Sequence, residues 1–140
     1  MRASTAAPKL NQLDRRRCLD LLAQAQVGRF GTTLDAMPAV LPVNFVLLED
    51  DVLVRTIPGS RLDDAVTNSV VAFEADWFSD DGLRGWSVQI RGIAREVTDA
   101  VELAAAEAAG LRNMALPGVP QRYLKISTTE ISGRQFDHTR

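Results

Sequence analysis

The sequence predicts a mainly β protein: six short antiparallel strands forming a closed or split barrel, with helices at its periphery. Three observations lead there. Stretches of strand-forming, largely alternating residues recur along the chain, as in VLVRTI, VVAFEADWF and WSVQIRGIAREV. Turn-forming clusters separate them, at Glu49-Asp50-Asp51, Pro58-Gly59 and Asp80-Asp81-Gly82. Helical patterning is confined to a few short segments between them.

Residues 1–13 are expected to be a flexible N-terminal segment, and 14–140 a single domain. Residues 14–25 read as a helix, with Cys18, Leu19, Leu22 and Ala23 on one apolar face and Asp14 able to cap its start. Strands follow at 27–34, 37–48 and 52–57. The second contains Pro38 and Pro42, and Glu49-Asp50-Asp51 joins it to the third as a hairpin. After Pro58-Gly59, residues 60–67 read as a short helix capped by Ser60. Strands at 70–78 and 86–97 come next, with Gly92 a candidate kink where a barrel closes. An alanine-rich helix over 99–109 ends at Gly110 or at Pro117-Gly118, and a last strand spans 123–131, extended by SGRQF.

Composition bounds the function. Apolar residues make up 46% of the 140 and charged residues 24%, as in a soluble globular domain. The net charge of −2 argues against nucleic acid as a partner. No apolar run reaches the ~20 residues that span a bilayer, and no signal peptide is expected. Cys18 is the sole cysteine, so no intrachain disulfide can form, which fits a cytoplasmic location. One histidine, His138, with one cysteine does not make a zinc site, and His138 is expected in a frayed tail. The acidic pairs Asp50-Asp51, Asp63-Asp64 and Asp80-Asp81 read as solvated, so no acid–base dyad is expected.

Three places could carry chemistry. Arg55-Thr56 ends a strand and Ser60-Arg61 opens a helix, so hydroxyls, a guanidinium and free N–H groups could converge on a phosphate. The alternative is an ordinary helix cap beside a solvated arginine. In Pro42-Val43-Asn44-Phe45, Asn44 faces away from Val43 and Phe45, and the strand could offer backbone groups to the edge of a planar ring. The alternative there is a barrel strand with a polar outward residue. Trp86 could stack on a ligand and Ser87 could bond one, or Trp86 could be core. No nucleophile, metal cluster or acid–base pair stands out, so chemistry here would be borrowed from a phosphorylated cofactor.

Together, Pro42-Val43-Asn44-Phe45, Arg55-Thr56, Pro58-Gly59-Ser60-Arg61-Leu62, Phe73-Glu74-Ala75-Asp76, Gly85-Trp86-Ser87-Val88-Gln89-Ile90-Arg91-Gly92 and Ser132-Gly133-Arg134 resemble the FMN-binding split β-barrel superfamily. That group includes pyridoxamine 5'-phosphate oxidase, flavin- and deazaflavin-dependent reductases and nitroimidazole-resistance proteins. The likeness runs from about residue 14 to 136. It implies a six-stranded antiparallel Greek-key split barrel and a homodimer with flavin at the interface. By position, Pro42, Val43, Asn44 and Phe45 would line the isoalloxazine. Arg55, Thr56, Ser60, Arg61 and Leu62 would hold the phosphate end, and Trp86 and Ser87 would lie close to the flavin, from either subunit. Arg61 stands where many relatives carry lysine. The true oxidase's C-terminal substrate-binding arginine and histidine pattern is missing, so vitamin B6 oxidation is not expected. The implied activity is FMN-mediated hydride or electron transfer to a small-molecule substrate. The alternatives are a reductase using a deazaflavin coenzyme, with Arg29, Arg91 and Arg95 as further basic residues, and a non-catalytic flavin- or haem-binding protein.

Overall fold

The computed structural model describes residues 11–111 and 118–139. The elements run β1 (Asn11–Gln12), α1 (Arg15–Leu22), β2 (Val27–Leu34), β3 (Met37–Leu48), β4 (Asp51–Thr56), α2 (Arg61–Val66), β5 (Val70–Phe78), β6 (Arg84–Glu96), α3 (Ala100–Ala108), β7 (Arg122–Ile126) and β8 (Glu130–Asp137). All strand pairings are antiparallel. Strands β2, β3, β4, β7, β6 and β5 close a six-stranded barrel, and β8 with β1 extends the sheet beyond β6. No helix among the described residues is long and apolar enough to cross a membrane.

Two strands are longer than any one neighbour, and this opens the barrel. The edge of β6 carries β8 along Arg84–Arg91 and β7 along Ala94–Glu96. The change of partner falls between Arg91 and Ala94, at the Gly92 singled out from the sequence, while the pairing with β5 runs through Gly92 in unbroken register. In the same way β3 pairs with β2 over Met37–Asn44 but with β4 only over Phe45–Leu48. Residues 37–44 therefore have a ladder on one edge alone.

The phase of that ladder decides what the other edge presents. The Phe45 N–H donates to the Gln26 carbonyl at 3.1 Å. Antiparallel pairs alternate between bonded and non-bonded, so Val43, Leu41, Ala39 and Met37 also turn their backbone groups toward β2. Asn44, Pro42, Val40 and Pro38 turn theirs outward. Both prolines thus sit where a missing N–H breaks no ladder, which is how a twelve-residue strand accommodates them.

The core follows the alternation. Phe30, Phe45 and Phe73 are fully buried and meet edge to face, at centroid separations of 5.8 Å for Phe30–Phe73 and 4.9 Å for Phe45–Phe73. Helix α1, capped by the Asp14 carboxylate accepting from the Arg17 N–H, adds Cys18, Leu19, Leu21 and Leu22. The helix lies so close to β8 that a Cβ at Gly133 would fall 2.7 Å from the Cys18 sulfur. A second cluster, Leu53, Val97, Ala106 and Tyr123, packs under α3.

Three expectations change. The last strand is two: Ser127 and Thr129 bond each other through their hydroxyls, the Thr129 N–H donates to Ser127 Oγ, and the chain turns between β7 and β8. His138 is not frayed, since its N–H donates to the Leu83 carbonyl and its ring stacks on Phe136 at 5.1 Å. The Asp63-Asp64 pair is not uniformly solvated, because Asp63 is buried. Of the expected flexible segment, residues 1–10 lie outside the described residues, while Asn11 and Gln12 pair with Gln135 and Arg134. The alanine-rich helix stops at Ala108, just before Gly110 at φ +73°, so its ending does not need Pro117, which also lies outside the described residues.

Candidate functional site

The β4–α2 turn gathers Thr56, Ser60, Arg61 and Leu62. Ser60 caps α2, its Oγ accepting from the Asp63 N–H at 3.1 Å, which leaves its own proton free to donate outward. Gly59 takes φ +82°, and a Cβ built there meets nothing within 4 Å, so the space above the turn is open. Arg61 projects from the first turn of α2 and bonds Asp35 of the β2–β3 hairpin at 2.8 Å, with the arginine side chain 75% and the aspartate 80% exposed. An ion pair that exposed holds Arg61 weakly. A more highly charged anion can replace the carboxylate there.

The organiser of this turn is Asp63, expected from the sequence to be solvated. The Asp63 carboxylate accepts from Thr56 Oγ1 (2.8 Å), Thr67 Oγ1 (2.8 Å), the Gly59 N–H (3.0 Å) and Arg122 Nη1 (2.7 Å). Burial would raise its pKa, but those hydrogen bonds and the Arg122 charge outweigh it and hold the carboxyl below its usual value. The Thr56 hydroxyl proton and the Gly59 N–H are therefore already committed. The signal that could have found Asp63 is its place three residues after the Ser60 cap, flanked at 56 and 67 by threonines.

Arg55 goes elsewhere. Its strand neighbour Thr56 faces α2, so Arg55 faces α3, where its guanidinium donates to the Leu111 carbonyl (3.1 Å) and lies 5.8 Å from the Tyr123 ring. Among the described residues it has no carboxylate partner, and its Nε is buried without an acceptor.

On β3, Val43 and Phe45 pack inward; Phe45 is 2% exposed and its N–H is bonded to the Gln26 carbonyl, so neither its ring nor that N–H is open to a ligand. Pro42 and Asn44 are exposed. The open β3 edge and the β4–α2 turn are neighbours: β4 leaves β3 beyond Phe45–Val54, Arg61 reaches Asp35 at the hairpin tip, and Thr32 donates to the Ala65 carbonyl.

Trp86 and Ser87 lie on opposite faces of β6. Trp86 is 6% exposed and, with its cross-strand partner Trp77, walls a cleft of about 650 Å³ against the end of α1. Arg29 pairs with Glu74, so Trp77 is level with Gln26 at the start of β2. Asp35 and Arg61 lie about 30 Å further along that strand, at ~3.3 Å per residue. Within one chain, Trp86 and the Arg61–Asp35 contact therefore lie toward opposite ends of β2.

Ser87 belongs to the outer sheet face, in a row with Asp76 and Arg134. Next to it Arg29 Nη1 meets Glu74 at 3.3 Å and Asp76 at 3.5 Å. Burial, then the neighbouring Asp76, push the Glu74 carboxyl up to about 7 despite Arg29. Beyond this cluster the face turns apolar, with Val40 (71% exposed), Val70 (75%) and Ile93 (54%) around Gly31 and Ala72.

Comparison with known proteins fixes the lineage. Residues 14–135 match the pyridoxamine 5'-phosphate oxidase family. The chain belongs to that family. An uncharacterized protein of Mycobacterium tuberculosis is 36% identical over 104 residues, which is 71% of this chain and 68% of that one. Among solved structures, an FAD-binding protein from Mycobacterium smegmatis superimposes with a TM-score of 0.78 at 37% identity, covering 90% of this chain and 97% of the other. A Corynebacterium diphtheriae protein of unknown function does so with a TM-score of 0.75 at 34% identity, covering 91% and 98%. Family membership leaves the reaction open, because one fold hosts several activities.

Proposed function

We propose that the protein binds a flavin nucleotide, FMN or FAD, and acts as a flavin-dependent oxidoreductase on a small molecule. The observation that carries this is the open β3 edge lying beside the β4–α2 turn. Along that edge the outward groups alternate: Asn44 and Val40 offer N–H and C=O, while Pro42 and Pro38 offer C=O only. The pyrimidine-like side of an isoalloxazine, with one N–H between two carbonyls, matches such a mixed edge. The phosphate would lie over Gly59, held by the Ser60 hydroxyl and by Arg61 released from Asp35. The 37% identical relative from Mycobacterium smegmatis is an FAD-binding protein, which supports the same cofactor class.

The bound flavin would supply hydride or electron transfer. The chain's own residues would bind, orient and exclude water, and the Asn44 N–H would stabilise negative charge on the reduced ring. Thr56 serves this site through Asp63, and Arg55 supplies positive potential from the α3 side of β4. A second copy of the chain would pack on the outer face around Val40, Val70 and Ile93, bringing its Ser87 toward the β3 edge. That arrangement accounts for the separation of Ser87 and Trp86 from the turn.

Titration of the purified protein with FMN and with FAD, followed by flavin fluorescence, tests the reading. Saturable binding of one or both is expected, weakened about tenfold to a hundredfold in Arg61→Ala, since a charged hydrogen bond contributes about 1.5–3 kcal/mol. Binding of neither flavin, or binding indifferent to Arg61→Ala, overturns it. The ratio of the two affinities says whether the adenylate half is recognised.

A further inference from the structure

The cleft beside α1 is a site in its own right, and its walls specify a ligand. We infer that it binds a planar aromatic anion, separately from the flavin. Its volume of about 650 Å³ falls within the range of small-molecule sites. Trp77 and Trp86 supply the flat walls, paired across β5 and β6. Trp77 is 46% exposed at the end of β5, with the Arg84 guanidinium 5.6 Å from its ring centroid and the rest of its surface open. Three amides converge on the same space, Gln24 and Gln26 after α1 and Gln135 from β8. They can orient a ligand by hydrogen bonds.

The sign of the ligand follows from the charges facing the cleft, which are Arg17, Arg29 and Asp76. Arg29 is offset by Asp76 at 3.5 Å and by Glu74, just outside the cleft, at 3.3 Å. Arg17 does not share in this: among the described residues it forms no ion pair, and its guanidinium meets only the neutral Gln135 amide at 3.4 Å. The cleft therefore keeps one guanidinium without an ion-pair partner, Arg17, beside its two tryptophans. An arginine so placed favours carboxylate, sulfonate or phosphate on an aromatic ring. This inference does not depend on the flavin reading, since the cleft and the β4–α2 turn lie at opposite ends of β2.

The chain provides its own reporter. It has two tryptophans, and both wall the cleft, so all indole emission arises there. The probe is 4-nitrobenzoate, a planar aromatic anion that quenches indole, with 4-nitrobenzyl alcohol as its uncharged counterpart, each added to the flavin-free 140-residue protein. Saturable quenching by the carboxylate is expected, with the alcohol about tenfold weaker or more. Arg17→Gln, an exposed position that does not touch the core, is expected to bring the carboxylate down to the level of the alcohol. Linear, non-saturating quenching that is equal for the two compounds overturns the site, and so does unchanged affinity in Arg17→Gln. Quenching abolished by competing FMN also overturns it, because the cleft would then be the place of the flavin ring. If FMN binds without displacing the probe, the two sites stand apart. If FMN does not bind at all while the probe does, only the flavin reading fails.

Discussion

Removing the Asp63 carboxylate should be among the costliest single changes outside the aromatic core. Asp63 is 2% exposed and gathers two hydroxyls, one backbone N–H and one guanidinium. Asp63→Ala strands all four donors and leaves Arg122 with Glu96 alone, at 3.4 Å. Breaking a buried ion pair by deleting one member costs about 3–5 kcal/mol. Against a typical total stability of about 5–15 kcal/mol, that is a large share. Asp63→Asn keeps the volume and one acceptor but turns an amide donor toward groups that already donate, so about 2 kcal/mol is expected. Asp64→Ala, one residue on and exposed, is the control and should cost about 0.5 kcal/mol or less. Urea unfolding measures all three, as shifts in midpoint at constant slope. The sign with pH is also set. The folded pKa of Asp63 is lowered, so its contribution is complete above the unfolded value, about 4, and is lost as pH falls through the folded value. The gap between wild type and Asp63→Asn should narrow below about pH 4. A loss under 1 kcal/mol in Asp63→Ala, or a gap that widens in acid, would refute the reasoning.

Two further outcomes follow from the outer face and the barrel wall. Because the Glu74 carboxyl is raised to about 7, the folded state holds a proton that the unfolded chain releases between about pH 4.5 and 7. Stability should therefore fall as pH rises through that window, and urea midpoints at pH 5 and pH 8 should show a smaller fall in Glu74→Gln. Gly28→Ala would place a Cβ 2.2 Å from the Phe73 ring and 2.9 Å from the Glu74 carbonyl, so thermal unfolding should report a loss of about 1–3 kcal/mol. An unchanged melting temperature would mean that β2 can move away from β5.

The elements were legible where the signal is local. Alternation and turn chemistry located β2, β3 and β5 to the residue, because each hairpin tip is marked by its own acidic or glycine turn. What was not legible depends on partners distant in sequence. Asp63 and Asp64 are the same residue type in adjacent positions, and only the place of Thr56, Thr67 and Arg122 in the fold makes one buried and the other solvated. Ser127-Thr128-Thr129 has strand-like composition, and the turn there arises because β7 must reach β4 while β8 runs along β6. At the candidate site, the Ser60 cap and the outward side of Asn44 could be read from the sequence. The open β3 edge could not, since it results from where β4 stops pairing. The opposite facing of Trp86 and Ser87 follows from strand alternation alone, but their distance from the β4–α2 turn does not.

The two prolines of β3 have a consequence for the solution behaviour of the protein. An unpaired strand edge ordinarily recruits strands from other molecules and seeds aggregation. Here the exposed edge lacks an N–H at every second outward position, at Pro38 and Pro42. An incoming strand would meet two of its carbonyls unanswered, so a continuous ladder between molecules cannot form. The same edge keeps all its acceptors and the Val40 and Asn44 donors for a ligand too short to need the missing ones. Polymerisation is suppressed along a stretch of backbone that the proposed flavin site would need uncovered.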